Sequence, residues 1–190
     1  MRGLTAGEVA ILEKYFKGAI RYAHVRVHRR RYLPWQPSGV AMAPNGHIYF
    51  TDSHFLDDFS LADLGRRSWF VHEAVHVWQY QNRVFLDLRI LGGLAILRGD
   101  YARPGWISGQ TGKYLYEFKL GRDQDFLKFG YEQQAAAIEN YYAALNGGDG
   151  KAPRSPDLEL FDDPEAGLLR SFLQHPAYAA DRRSTVILAR

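Results

Sequence analysis

Phe70-Val71-His72-Glu73-Ala74-Val75-His76-Val77-Trp78-Gln79 is the stretch on which the reading of this chain turns. Leu61, Leu64, Trp69, Val71, Val75 and Trp78 recur at helical spacing, which predicts a helix from roughly 60 to 81. On a helix, His72 and His76 stand at i and i+4, so both imidazoles leave the same face and can grip one metal ion. Glu73 lies near that face, where it can take a proton from water at the metal instead of binding the metal itself. A zinc ion lowers the pKa of such water toward about 7.

The pattern H-E-x-x-H is specific. With seven histidines in 190 residues, random order would produce about 0.01 such strings. Two core histidines with an incidental glutamate would need other buried partners. A zinc site needs a third protein ligand. The metzincin extension would put glycine at position 79 and histidine at position 82, but the chain has Gln79 and Asn82. The remaining solution is a carboxylate from a later helix. Residues from about 123 to 145 read as helical and stop at Asn146-Gly147-Gly148. On that helix Glu132 and Glu139 are seven apart and share a face, with Ala135 and Ala136 between them to allow close approach. Glu132 is the expected third ligand. Glu139 is the expected partner orienting a ligand histidine, with the ligand role as its alternative. Asp123, Asp125 or an upstream histidine are the other candidates. Tyr131, His47 and Tyr49 are candidate oxyanion donors, and His54 is a candidate surplus ligand.

Around this centre the chain reads as a single globular domain. Apolar residues make up 46% and charged residues 24%, and no cysteine is present, so disulfides, thiolate metal sites and cysteine nucleophiles are excluded. Thr5-Ala6-Gly7-Glu8 is a capping box opening a helix from about 5 to 19. Residues 22–28 alternate like a strand, and Pro44-Asn45-Gly46 between 39–43 and 47–51 predicts a hairpin. Residues 83–122 read as an irregular, glycine-rich insert, 147–156 as a linker, and 163–174 as a short helix before a tail. The net charge of +3 is modest. Its one cluster, Arg26, Arg29, Arg30 and Arg31 with His24 and His28, reads as a solvated strand edge, so nucleic acid is not an expected partner. The first twenty residues lack a signal-peptide pattern, and the apolar stretch 84–97 is too short and too charged to span a bilayer.

Several segments carry a resemblance. Leu4-Thr5-Ala6-Gly7-Glu8, the runs 25–34 (Val25 to Pro34) and 39–50 (Gly39 to Phe50), the run 70–81 around the motif, and Gly130-Tyr131-Glu132-Gln133-Gln134-Ala135 resemble the short Vgr-related proteins of proteobacteria, over roughly residues 3–145. Membership would imply a minimal zincin-like metallopeptidase fold and, by its name, a link to type VI secretion spikes. A wider similarity runs to zincin domains carrying H-E-x-x-H-x-x-Q near contractile injection systems and polymorphic toxins. Gln79 matches that pattern, and the resemblance also places the third ligand at Glu132. Ala136 departs from it, standing near where the pattern carries a further acidic residue.

The expectation is an α+β, zincin-like domain over 1–146 with a small mixed or antiparallel sheet, an H-E-x-x-H helix and a second ligand-bearing helix. Residues 147–190 would add a linker, short helix and tail packed on the same domain. Zn²⁺ held by His72, His76 and Glu132, with Glu73 as base and Tyr131 assisting, would hydrolyse a peptide or protein substrate. The rival is a non-catalytic adaptor or cargo with a structural zinc. The expected location is cytoplasmic as synthesised, with export by a signal-peptide-independent system and a secretion-spike protein as partner.

Overall fold

The computed structural model describes residues 1–84, 126–128, 131–147 and 169–180. Its first helix, α1 (Ala6–Phe16), starts on the expected capping box. The Thr5 hydroxyl accepts the Glu8 N–H at 3.1 Å, and the Glu8 carboxylate accepts the Thr5 N–H at 2.9 Å. The same carboxylate, fully buried, takes both ends of the Arg2 guanidinium (2.6 and 2.8 Å) and the Phe59 N–H (2.9 Å). One side chain thus ties the N-terminus, α1 and the turn before the next helix together. Removing one partner of such a buried pair costs about 3–5 kcal/mol, because the other charge stays behind. As an α-helix, α1 ends three residues before the expected position 19. Lys17 adopts φ 47°, a left-handed conformation that breaks the helix, and a 3₁₀ turn covers Lys17–Ala19.

The expected strand over 22–28 is corrected to a 3₁₀ turn, Tyr22–His24, followed by β1 (Val27–Arg29). β1 pairs in parallel with β2 (Ile48–Phe50), in the register Val27 to Ile48, His28 to Tyr49 and Arg29 to Phe50. Single antiparallel bridges flank the pair, Arg2 to Val27 on one side and Met42 to Tyr49 on the other, so the small sheet is mixed. The hairpin therefore shrinks to its turn and one bridge. Pro44 has no N–H to extend the ladder, and the Val40 N–H is already held by the Pro37 carbonyl. The turn itself needs its glycine: Gly46 sits at φ +79°, and a Cβ there would lie 2.7 Å from the Tyr80 ring.

Val27, Ile48 and Phe50 are buried in the core, with Phe50 stacked on Phe59 and meeting the edge of Trp69. Behind them runs α2 (Leu64–Gln81), capped by Asp63, whose carboxylate accepts the Arg66 N–H. The helix expected from 60 starts later because Phe59–Leu61 forms a separate 3₁₀ turn capped by Asp58. The second ligand-bearing helix is α3 (Tyr131–Leu145), ending at Gly147 in the left-handed region. Ahead of it, Phe126–Lys128 forms a 3₁₀ turn where continuous helix was expected. Ala135, Ala136 and Ala137 are buried, and their small side chains let α3 lie closely along α2. A short α4 (Arg170–Gln174) inserts Phe172 among Phe16, Trp78 and Phe126, and the Trp78 indole N–H donates to the Pro176 carbonyl at 2.7 Å. The expected insert beyond 84, the linker beyond 147 and the start of the last helix lie outside the described residues. Among the described residues no helix is long and apolar enough to cross a membrane.

Candidate metal centre

Two helices converge on one point. The His72 Nε2 lies 3.2 Å from one Glu132 oxygen, and the His76 Nε2 lies 3.4 Å from the other. All three residues are buried, with ligand atoms within 4.8 Å of one another. Ligands about 2.0–2.1 Å from a tetrahedral zinc stand about 3.3 Å apart, so both nitrogen–oxygen separations are of the size such an ion would need. The helical i, i+4 spacing makes the histidine pair local. The carboxylate arrives only because the alanine run brings α3 against α2.

Each imidazole is held from behind. The His72 Nδ1 meets a Glu139 oxygen at 2.9 Å, and the His76 Nδ1 meets the Gln79 side-chain oxygen at 2.8 Å. With the Nδ1–H atoms donated outward, it is Nε2 of each ring that faces Glu132, the nitrogen that a metal would take once its proton has left. Glu139 touches the far nitrogen of His72, the one turned away from Glu132.

Glu73 is 4% exposed, and its Oε2 has no hydrogen-bond partner among the described residues. Burial pushes its carboxyl pKa up, and the neighbouring His76 and His72 hold it down only in part. A buried carboxylate oxygen without a partner among the described residues is a polar group that a bound proton donor could satisfy.

The charges of these side chains are coupled. Burial works against a charged His72, but hydrogen bonds to Glu132 and Glu139 outweigh it and carry the pKa up to about 10. Despite burial, His76 and His72 hold the Glu132 carboxyl well below its usual range. Because the folded His72 pKa is raised, its contribution to stability is complete below about 6.5 and is lost as pH climbs toward 10. Metal binding needs that proton gone, so it strengthens over the same range. The melting-temperature gap between zinc-loaded and chelator-treated protein should therefore widen from pH 6.5 upward. Differential scanning fluorimetry across that range tests this, and a constant gap would refute the coupling.

The other candidates lie elsewhere. The Tyr131 hydroxyl donates to the Val84 carbonyl at 3.3 Å, so an oxyanion role would require it to leave that bond. Tyr49 stacks on His28, 4.4 Å between ring centres, and its hydroxyl accepts from Asn45; His47 lies beside the same histidine. His54 packs against Trp69, with its Nδ1 on Thr51 and Ser53. Neither His47 nor His54 joins the ligand group among the described residues. Asp123 and Asp125 lie outside them. The arginine cluster is engaged locally: Arg29 pairs with Asp52, Arg26 donates to the Ala23 and Val25 carbonyls, and Arg31 donates to that of Pro34. Gln79 was legible only as a match to H-E-x-x-H-x-x-Q, and Gln134 not at all, yet both are fully buried and bonded to each other at 2.9 Å.

Fold and site together define an α+β domain in which two histidines from one helix and a glutamate from a second form a buried group that could hold a metal ion. Across the matched length this domain is similar to part of the type VI secretion system spike protein VgrG2b of Pseudomonas aeruginosa, with 33% identity over 148 residues. The match takes in 76% of this chain but only 13% of that much longer protein. The solved effector domain of Pseudomonas aeruginosa VgrG2b superposes with a TM-score of 0.65 at 29% identity, covering 88% of this chain and 83% of the domain. No family model matches the chain. Both likenesses are thus to one protein, a type VI secretion spike and its effector domain, and the chain spans only a small part of that spike's length.

Proposed function

We propose that the chain is a zinc-dependent metallopeptidase domain of the gluzincin type, with a zincin-like fold, acting on a peptide or protein substrate in association with a type VI secretion spike. The observation that carries this reading is the buried group of His72, His76 and Glu132, with the buried Glu73 next in sequence to His72 and one of its oxygens without a partner among the described residues. Zinc bound there would supply a Lewis acid for the scissile carbonyl and a water that ionises near neutral pH. Glu73 would take a proton from the attacking water and hand it to the departing amine, so the carboxylate would end as it began. Glu139 and Gln79 hold the two imidazoles in place throughout. The segment around Met42, bridged to β2 on one side, offers backbone groups along which an extended peptide can lie.

The rival, a structural zinc in an inert cargo or adaptor, calls for a fourth protein ligand. Among the described residues the group numbers three, and His47 and His54 are occupied elsewhere, which favours an open, catalytic position. The spike link rests on likeness to the VgrG2b effector domain. The test is hydrolysis of a peptide library by the purified chain. Cleavage should disappear with a chelator and return with zinc; zinc binding without cleavage of any member would favour the rival.

A further inference from the structure

We infer that Gln79 is a positioning residue through which the docking of α3 selects the nitrogen that His76 turns toward the metal. This rests on the metal reading above and adds a residue that does not touch the ion. Gln79 is 0% exposed, so its amide must be satisfied by protein groups. Its Nε2 lies 3.0 Å from the Tyr131 carbonyl and 2.9 Å from the Gln134 side-chain oxygen, and its Oε1 lies 2.8 Å from the His76 Nδ1.

Each link leaves one choice. A backbone carbonyl only accepts, so the end of the amide facing Tyr131 is the NH₂ group. The end facing His76 is then the oxygen, which also only accepts. His76 must answer with Nδ1–H, which leaves Nε2 to face Glu132, 3.4 Å away. The chain of bonds begins at the peptide unit joining Tyr131 to Glu132 itself. One side chain therefore fixes the position of the third ligand's helix turn and the tautomer of the second ligand together. If α3 were undocked, the amide could flip and offer His76 a donor, favouring the wrong tautomer.

The test uses the full chain, zinc-loaded and ¹⁵N-labelled, with zinc affinity read by chelator competition and the histidine Nδ1–H resonances by NMR. Gln79→Met keeps the volume but neither donates nor accepts a strong bond. It should weaken zinc binding about 10–100-fold and shift or broaden the His76 resonance, leaving that of His72 on Glu139 in place. Gln134→Met keeps the Tyr131–Gln79–His76 chain and should retain the His76 resonance and wild-type affinity. Gln79→Glu covers the case in which the methionine variant does not fold. It should retain the His76 resonance, because a carboxylate still accepts, while amide exchange quickens in the first turn of α3. Wild-type affinity with an unmoved His76 resonance in Gln79→Met, or unchanged exchange in Gln79→Glu, would overturn the inference and leave the metal centre standing. A wild-type chain that binds no zinc would overturn both.

Discussion

Glu73→Gln is expected to keep one zinc per chain and to lose peptide hydrolysis by about 10²–10⁴-fold, the range general acid–base catalysis contributes. The substitution preserves shape and removes only the ability to take up a proton. The site favours that outcome on two grounds. Glu73 sits beside the three ligands without touching the points they share, so its loss leaves the ligand set intact. Its carboxylate is buried and one oxygen has no partner among the described residues, so a neutral amide is no harder to bury and the fold should hold. Elemental analysis and turnover on a cleaved peptide measure the two halves separately. Loss of zinc would make Glu73 a ligand, and undiminished turnover would move the base elsewhere.

Glu132→Ala and Glu139→Ala should separate just as sharply. Glu132 lies opposite both Nε2 atoms, so removing it deletes a ligand and the negative charge that both imidazoles face. The expected result is a chain that loses zinc on dialysis against a weak chelator. Glu139 contacts only the far nitrogen of His72, so Glu139→Ala should keep zinc at about 10–100-fold lower affinity. The reverse order would exchange the two roles and leave α3 as the source of the third ligand.

What could be read from sequence follows from how local each feature is. The capping box at Thr5 and Glu8 is complete within four residues, and the His72–His76 pair within five; helix geometry alone places both. Residues 22–28 alternate like a strand, yet only Val27–Arg29 pairs, because a strand needs a partner and the partner is β2 from a distant segment. The Asn45-Gly46 turn was legible, but the fate of its flanks depended on Pro44 and on the amide of Val40 being taken by Pro37. At the site, the residue types and faces of Glu132 and Glu139 could be read. Which nitrogen each would meet depends on the depth at which α3 packs, set by the buried alanines at 135–137. The Gln79–Gln134 contact was invisible for the same reason: a glutamine's partners are chosen by packing and leave no periodic trace.

The two halves of the ligand set are also far apart along the chain, since Glu132 follows His76 by 56 positions. Closing a loop of that size is costly once, but each doubling of its length adds only about 0.6 kcal/mol. Descendants of this domain can therefore trade, shorten or extend the intervening segment at little thermodynamic penalty while the ligands stay where they are. The number of residues between the two helices is thus a weak lever on bringing the group together, beside the packing of the helices on each other.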